Sequence, residues 1–384
     1  MEFELSFKPI SHQREDYLPN QLGGFVEAYT KGHFPDLSES DVVLIGVPEF
    51  SGTQTTGNED SLAKIRAAYY QLYRGSERLR IADLGNLLLG EKNTDTFFLL
   101  SEVLEECHRR GLFAMLIGGG QDATFAQYKA CVRMQKMTNL VCIDARFDFG
   151  LDNEDLNAHT FLSKIIQEKP SFLFNYSNIG NQSFLNSQET LELIHDLYFD
   201  SYRLGVVRSD IEEVEPILRN ADILSVDLSS VRLSDAPGTH EGSPNGFHGE
   251  EMCQIMRYAG LGGGLLSLGI YEYDHTKDVN DQTAQLIAQM MWYFLEGYFH
   301  RMKRLTPQEG DFVKYHVSMR DGEFDATFYK NKQLNKWWME IPLLEDQMEQ
   351  FKDHFFIPCS YKDFQSASQG DLPDRWWKAF QKMN

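Results

Sequence analysis

The chain has 384 residues, of which 42% are hydrophobic and 13% aromatic, a composition that supports a full hydrophobic core and argues against disorder over most of its length. Its formal charge of −21 excludes nucleic acid and anionic membrane surfaces as expected partners, because their phosphate groups would be repelled. No apolar stretch reaches the roughly 18 residues of a membrane span, and five cysteines without C-x-x-C spacing predict a cytoplasmic protein with reduced thiols.

Strand and helix patterns alternate through most of the first 300 residues. After a polar lead, residues 42–48 are predicted to form a buried strand, and the apolar spacing over 63–73 predicts a helix. The alternation continues with helices at 97–110, 124–132 and 282–299 and strands at 114–117, 140–143, 223–226 and 265–270. Such alternation is typical of parallel βαβ units. The sequence therefore predicts an α/β fold whose mostly parallel sheet is covered by helices on both faces.

The pattern changes beyond residue 300. Alternating polar and apolar residues over 312–317, followed by further aromatics, predict a hairpin. Two tryptophan pairs come later, Trp337-Trp338 and Trp376-Trp377. These aromatics either pack the extension onto the main domain or form a surface for a protein partner. We therefore predict an α/β domain over 1–300 and, packed on it, a C-terminal α+β extension over 301–384 made of a hairpin and helices.

Polar side chains follow three of the predicted strands. Asp144 and Asp148 flank Arg146 after the strand at 140–143, which looks like a metal site altered at its centre. Two further segments have the same character, Gly118-Gly119-Gly120-Gln121 and Asp227-Leu228-Ser229. Because the carboxyl ends of parallel strands meet at one edge of a sheet, these side chains are expected to form one active site.

These motifs resemble the ureohydrolase family of arginases, agmatinases and, most closely, formimidoylglutamases, over about residues 41–298. The glycine run ending at Gln121 is similar to the family's glycine-rich segment ending in histidine, and 144–148 to its Asp-Ala-His-x-Asp. The segment 225–229, running on to Ala236-Pro237-Gly238, resembles its Ser-Phe-Asp-x-Asp and Ala-Pro-Gly. The resemblance implies a three-layer α/β/α fold and a binuclear manganese site whose bridging hydroxide attacks a guanidino or amidino carbon.

The resemblance places the six metal ligands of the family at Gln121, Asp144, Arg146, Asp148, Asp227 and Ser229. Only the three aspartates keep the family's residue. Arg146 replaces a histidine, and a guanidinium cannot act as a ligand at any ordinary pH. Our first hypothesis is that Arg146 balances the charge of the three carboxylates, so that the site is catalytically silent and needs no cofactor.

As an alternative, the site could still bind one of the family's two metal ions. Gln121, Asp144, Asp148 and Asp227 correspond to the ligands of one ion of the pair, with an amide oxygen in place of imidazole. Such an all-oxygen set suits one Mn²⁺ or Mg²⁺ ion. The main prediction is therefore a non-catalytic family member, a pseudoenzyme with a binding or scaffolding role. The alternative is an active C–N hydrolase, formimidoylglutamase- or agmatinase-like, that acts on linear amidines or guanidines with one metal.

The resemblance also implies roles for two further residues, Glu272 and His159. Glu272 matches the acid that grips the cationic nitrogen group of the substrate, although it could instead be a structural acid paired with Arg146. His159 lies near the place of a proton-shuttling histidine, although it could be an ordinary loop histidine. Catalysis, if retained, is expected to use His159 together with the three aspartates. Family members form oligomers, so a homo-oligomer is expected, with a further protein partner through the extension.

Overall fold

A ten-stranded, mostly parallel sheet forms the centre of the residues that the computed structural model describes, which are 3–75, 79–150, 154–301, 312–319, 322–345 and 347–383. Its strands are β1 (Phe7–Lys8), β2 (Glu27–Ala28), β3 (Val42–Gly46), β4 (Ile81–Leu87), β5 (Phe113–Ile117), β6 (Thr138–Ile143), β7 (Leu173–Asn181), β8 (Asp200–Arg203), β9 (Ile223–Asp227) and β10 (Ser267–Tyr271). The strand order is β1-β4-β3-β5-β10-β9-β6-β7-β8, with β2 also beside β4, and β1 is the antiparallel strand.

Helices cover both faces of this sheet. They are α1 (Glu59–Gln71), α2 (Asn93–Arg109), α3 (Ala123–Arg133), α4 (Phe161–Gln167), α5 (Gln188–Asp196), α6 (Leu204–Ser209), α7 (Glu215–Arg219), α8 (Gly249–Leu261) and α9 (Gln282–Phe299). Alternate residues of β5 point to opposite sides, as the pleat of a strand requires. Met115 packs in a core with α1, α8 and α9, whereas Leu116 packs in a core with α2. The predicted α/β fold with three layers is therefore confirmed.

The first 40 residues differ from the polar lead that the sequence suggested. β1 and β2 both pair with β4, and Phe3, Phe7 and Val26 are buried in the cores of the main sheet. The few apolar residues of this segment are thus enough to anchor it. Within the described residues, no helix combines the length and the apolar character needed to cross a membrane.

The extension forms a second sheet, which is antiparallel. Its elements are β11 (Phe312–Met319), β12 (Phe324–Asn331), β13 (Trp337–Glu340), β14 (Phe356–Cys359), α10 (Tyr361–Ser368) and α11 (Asp374–Met383). The predicted hairpin is the β11–β12 pair. Trp337, Trp338 and Trp376 are at most 5% exposed, and Trp337 and Trp376 belong to a core made mostly of residues of the extension itself. The choice between packing onto the main domain and contact with a partner stays a prediction. The exact division of the chain into domains at residue 300 stays a prediction.

Charged residues of α11 fix the extension to the amino-terminal ends of β7 and β8. Lys378 Nζ lies 3.2 Å from Asp200 Oδ1, and the Lys382 ammonium donates to Asn175 Oδ1. Arg219, at the end of α7, donates to the main-chain oxygen of Trp337 at 3.2 Å. The extension therefore occupies the edge of the sheet opposite to the carboxyl ends of the parallel strands.

Lys382 gives a testable pH dependence. Burial lowers its pKa from 10.5 to about 8, although the charge of Asp200 opposes the shift. Between pH 8 and 10.5 the unfolded chain therefore binds more protons at this residue than the folded chain, and the contribution of Lys382 to stability rises with pH. We expect Lys382→Met to raise the free energy of unfolding by about 1–3 kcal/mol at pH 7, an advantage that shrinks towards pH 10.5.

Urea unfolding of the wild type and the variant across this pH range measures the effect. Lys352→Met is the matched control, since the Lys352 side chain is 61% exposed and its replacement should give no such trend. A difference between wild type and Lys382→Met that stays constant with pH would contradict the expectation.

Candidate metal centre

Three buried carboxylates meet at the carboxyl ends of β6 and β9. Asp144 directly follows β6, Asp148 lies four residues later with a left-handed backbone (φ 49°), and Asp227 is the last residue of β9. One oxygen of each side chain lies within 4.8 Å of the others. Because β6 and β9 are adjacent and parallel, Ile143 pairs with Val226, and the register brings the aspartates together. This is the cluster that the sequence predicted at the sheet edge.

Local hydrogen bonds hold these carboxylates in place. The main-chain N–H of Arg146 donates to Asp144 Oδ1 at 2.8 Å, and that of Ser229 donates to Asp227 Oδ1 at 2.5 Å. Burial raises the pKa of Asp144 and of Asp227 well above the ordinary range, and charge repulsion within the cluster adds to the rise. Burial also raises the pKa of Asp148 to about 8. The cluster thus lacks positive charge, and a cation would supply it.

Two further oxygens lie at the ligand positions that the sequence predicted. Gln121 is fully buried, and its Nε2 donates to Ser225 Oγ at 3.2 Å while its Oε1 has no hydrogen-bond partner. The Ser229 Oγ is also buried without a partner. Buried polar atoms are normally satisfied, so the unpartnered amide oxygen of Gln121 is available as a ligand, and together with the three carboxylates it makes an all-oxygen set of the kind that Mn²⁺ or Mg²⁺ prefers. The donor set of this chain therefore suits one such ion.

Arg146 forms its ion pair with an acid outside the three carboxylates. Its Nη1 makes an ion pair with Glu241 Oε2 at 2.5 Å, and its side chain is 27% exposed. Within the described parts of the chain it makes no ion pair with Asp144, Asp148 or Asp227. Its charge nevertheless opposes the rise in the pKa of Asp148, so the hypothesis that Arg146 balances the charge of the three carboxylates stays a prediction. Glu241 belongs to a turn-rich loop that carries no ligand spacing, which is why the sequence did not single it out.

His159 reaches the same site from the loop before α4. Its Nδ1 lies 3.2 Å from Asp148 Oδ1, and its Nε2 lies 3.5 Å from Glu241 Oε1. The side chain is 41% exposed, so it also faces solvent. The structure thus brings His159 to the site, while its role in proton transfer stays a prediction. Together with Arg146, Glu241 and Asp148, it forms a connected row of polar groups across the mouth of the cluster.

Glu272 follows β10 and adopts a left-handed backbone (φ 67°). Its Oε1 accepts a hydrogen bond from the main-chain N–H of Gln121 at 3.0 Å, and its Oε2 accepts from Thr55 Oγ1 at 2.7 Å and from Thr53 Oγ1. Arg146 is therefore not its partner. Burial raises the pKa of Glu272, and its charge contributes to the raised pKa of Asp227. This acid therefore lies near enough to the cluster for its charge to act on Asp227.

Comparisons with known proteins bear on this site. The sequence model of the arginase family matches residues 40–296. A formimidoylglutamase from Macrococcus caseolyticus is 25% identical over 228 residues, which are 56% of this chain and 70% of that protein.

Solved structures share the fold. A formiminoglutamase of Trypanosoma cruzi with Mn²⁺ superposes with a TM-score of 0.65 at 19% identity, over 70% of this chain and 97% of that chain. The formimidoylglutamase of Bacillus subtilis gives a TM-score of 0.66 at 18% identity, over 76% of this chain and 95% of that chain. At these identities the structural likeness concerns the architecture alone.

Proposed function

Because this chain belongs to the arginase family, whose model matches residues 40–296, we propose that its pocket binds one hard divalent cation and a small cationic ligand without carrying out two-metal hydrolysis. The observation that carries the proposal is the ion pair of Arg146 with Glu241 at 2.5 Å. Arg146 stands where a histidine ligand of the second ion is expected, and a guanidinium has no lone pair to offer. Ser229 likewise offers a hydroxyl where a carboxylate is expected.

The first ion keeps a complete set of ligands. Gln121, Asp144, Asp148 and Asp227 would hold it, and it would supply positive charge and Lewis acidity to the pocket. Glu272 would bind the cationic nitrogen group of the ligand, since its carboxylate is already oriented by the Gln121 main chain and by the Thr55 hydroxyl. A protein of this kind recognises an amidine, guanidine or amine without cleaving it.

Metal content and turnover test the proposal together. Protein produced with added Mn²⁺ and purified without chelator should contain one ion per chain by mass spectrometry. The same preparation should release neither formamide nor urea from formimidoyl-glutamate, arginine, agmatine or guanidinobutyrate. Two ions per chain, or none, would contradict the proposed cation site, and sustained turnover would contradict the non-catalytic role.

An active hydrolase with a single cation is the second candidate, and the contact between His159 and Asp148 favours it. An imidazole that is 41% exposed and lies 3.2 Å from Asp148 can carry a proton between the pocket and solvent. Metal-dependent turnover that is lost in a folded His159→Asn variant with unchanged Mn²⁺ binding would support this candidate over the first.

Restoring the family's ligands should recover the second ion. We expect the combined variant Gln121→His, Arg146→His and Ser229→Asp to bind two Mn²⁺ ions per chain, because the buried Ser229 side chain already lies next to Asp227 and the change at position 146 removes the guanidinium. Counting the ions by mass spectrometry checks this result. A folded triple variant that still binds one ion would show that more of the pocket than its ligands has changed.

We also propose that the extension contacts a partner and that the chain forms a homo-oligomer in the cytoplasm. Support comes from Leu344, Met348 and Tyr361, which are exposed on the extension although three of its four tryptophans are buried. Light scattering gives the molar mass of the wild type and of a variant with these three residues changed to serine. An oligomer that persists in the variant would leave these residues free for a different partner. An unchanged monomeric mass in both would contradict the oligomer.

A further inference from the structure

Among the residues that the structure describes, the guanidinium of Arg146 forms no ion pair with the three carboxylates, although its charge is near enough to oppose the rise in the pKa of Asp148. Arg146 lies between Asp144 and Asp148 in the chain, and its main-chain N–H already binds Asp144. Nevertheless, its side chain pairs with Glu241 at the mouth, and within the described residues no ion pair joins it to the three carboxylates. A flexible cation beside a buried anionic cluster is expected to enter the cluster unless another group holds it outside.

Glu241 is placed to be that group. One of its carboxylate oxygens binds Arg146 Nη1 at 2.5 Å, and the other lies 3.5 Å from His159 Nε2. The loop that carries Glu241 is itself fixed to the fold, because the Leu233 main-chain N–H donates to the Ser243 oxygen at 2.8 Å. The Glu241 side chain is only 26% exposed, so its attraction for the guanidinium is less weakened by solvent than that of a surface acid.

The guanidinium of Arg146 and a divalent cation would compete for the same position among the three carboxylates. A guanidinium inside the cluster would form hydrogen bonds with carboxylate oxygens that a cation needs as ligands. It would also repel any divalent ion that approached. Cation binding therefore depends on where the Arg146 side chain lies, and the position of Arg146 depends on its acidic partner at the mouth.

We propose that Glu241 is a positioning residue that holds Arg146 out of the cation site and so keeps the three carboxylates available to a divalent ion. This inference rests on the proposed function in that it requires a cation at Asp144, Asp148 and Asp227. It assigns the turn-rich mouth loop a role in metal affinity, although the loop supplies no ligand.

A double-mutant cycle on the full chain tests the inference, with Mn²⁺ affinity measured by the electron paramagnetic resonance signal of the free ion. The variants are Glu241→Gln, Arg146→Gln and the two combined. We expect Glu241→Gln alone to weaken Mn²⁺ binding at least tenfold, because Arg146 then enters the cluster. In the Arg146→Gln background the same change should alter affinity less than twofold, since no guanidinium is left to enter.

The cycle separates this inference from a simple charge effect. If Glu241 only attracts the ion through its negative charge, Glu241→Gln weakens binding equally in both backgrounds, and the inference is overturned. Glu250→Gln, which removes an exposed acid of α8, is the matched control for net charge and should leave affinity unchanged. An unchanged affinity in Glu241→Gln itself would also overturn the inference, and Glu241→Ala repeats the test should the amide fail to fold.

Failure of the proposed function gives a different pattern. Wild-type protein that binds no Mn²⁺, together with an Arg146→Gln variant that binds none, refutes the cation site itself, and the inference falls with it. Wild-type protein that binds none while Arg146→Gln binds one ion contradicts the proposed function of the wild type and also shows that Glu241 does not hold the guanidinium outside. Wild-type protein that binds one ion, with Glu241→Gln weakening Mn²⁺ binding equally in both backgrounds, leaves the proposed function intact and overturns the inference alone.

Discussion

Asp144→Asn should remove Mn²⁺ binding and at the same time stabilise the cation-free protein. Asp144 is 1% exposed, and one of its oxygens lies within 4.8 Å of the other two carboxylates, so an amide at this position deletes a charged ligand of the proposed site. Changes to groups that only orient a ligand already weaken metal binding roughly 10- to 100-fold. Loss of a direct ligand should therefore weaken it by about 100-fold or more.

The stability change has the opposite sign because burial and the neighbouring Asp148 make the ionised form of Asp144 unfavourable, as its raised pKa shows. The neutral amide has the same shape and removes that repulsion, so the free energy of unfolding in the presence of chelator should rise by about 1 kcal/mol or more. Thermal unfolding with chelator and Mn²⁺ titration measure the two effects on one preparation.

Asp196→Asn is the matched control for this experiment. The Asp196 side chain is 77% exposed on α5, and its change should alter neither Mn²⁺ affinity nor stability beyond measurement error. Full Mn²⁺ affinity in Asp144→Asn would mean that the ion binds elsewhere. A loss of stability in chelator would mean that the carboxylates are already compensated in the cation-free protein.

Arg66→Ala should cost about 3–5 kcal/mol of stability, because it breaks a buried ion pair and leaves one charge without a partner. Arg66 Nε donates to Asp83 Oδ2 at 2.7 Å, and the two side chains are 5% and 0% exposed. Asp83, in β4, also accepts hydrogen bonds from Tyr70 and from the Gly85 main chain. The pair therefore joins α1 to the sheet at a place that water does not reach.

Arg80→Ala shows how much of the expected loss of stability depends on burial, because it breaks an exposed ion pair. Arg80 also pairs with an acid at 2.5 Å, Glu39, but the side chains are 56% and 75% exposed. Solvent screens such a pair, so its loss should cost less than about 1 kcal/mol. Urea unfolding of both variants gives the two values. Equal losses would indicate that the Arg66 pair contributes no more than a surface contact.

Periodicity predicted the elements whose residues are apolar throughout. β5 and β6 lie within a few residues of their predicted bounds because every residue in them is buried, and α9 does because its buried residues recur at helical spacing. β4 was not predicted, since its sequence contains Asp83, Gly85 and Asn86, which normally mark a turn. These polar residues are tolerated because Arg66 supplies their hydrogen bonds, and Arg66 belongs to another element.

The site was predictable where its residues come from strand ends and not where they come from loops. Gln121, Asp144 and Asp227 each stand at or just beyond the end of an apolar strand, so topology alone brings them together. Glu241 follows no strand and shares no spacing with a ligand, so its contact with Arg146 depends on a loop conformation that no periodic pattern encodes. The one available signal was the positive charge of Arg146, which required an acidic partner within a mostly buried pocket.

The ligands of the proposed cation lie at or beyond the ends of β5, β6 and β9, which are distant in the chain and come together in the sheet. An unfolded chain has no comparable set, so the ion would add its binding free energy to folding, about 2.7 kcal/mol when its concentration is 100 times the dissociation constant. A shortage of the metal would then shorten the lifetime of the protein in the cell, since proteases act on the unfolded fraction. Metal supply would thereby set the abundance of this protein.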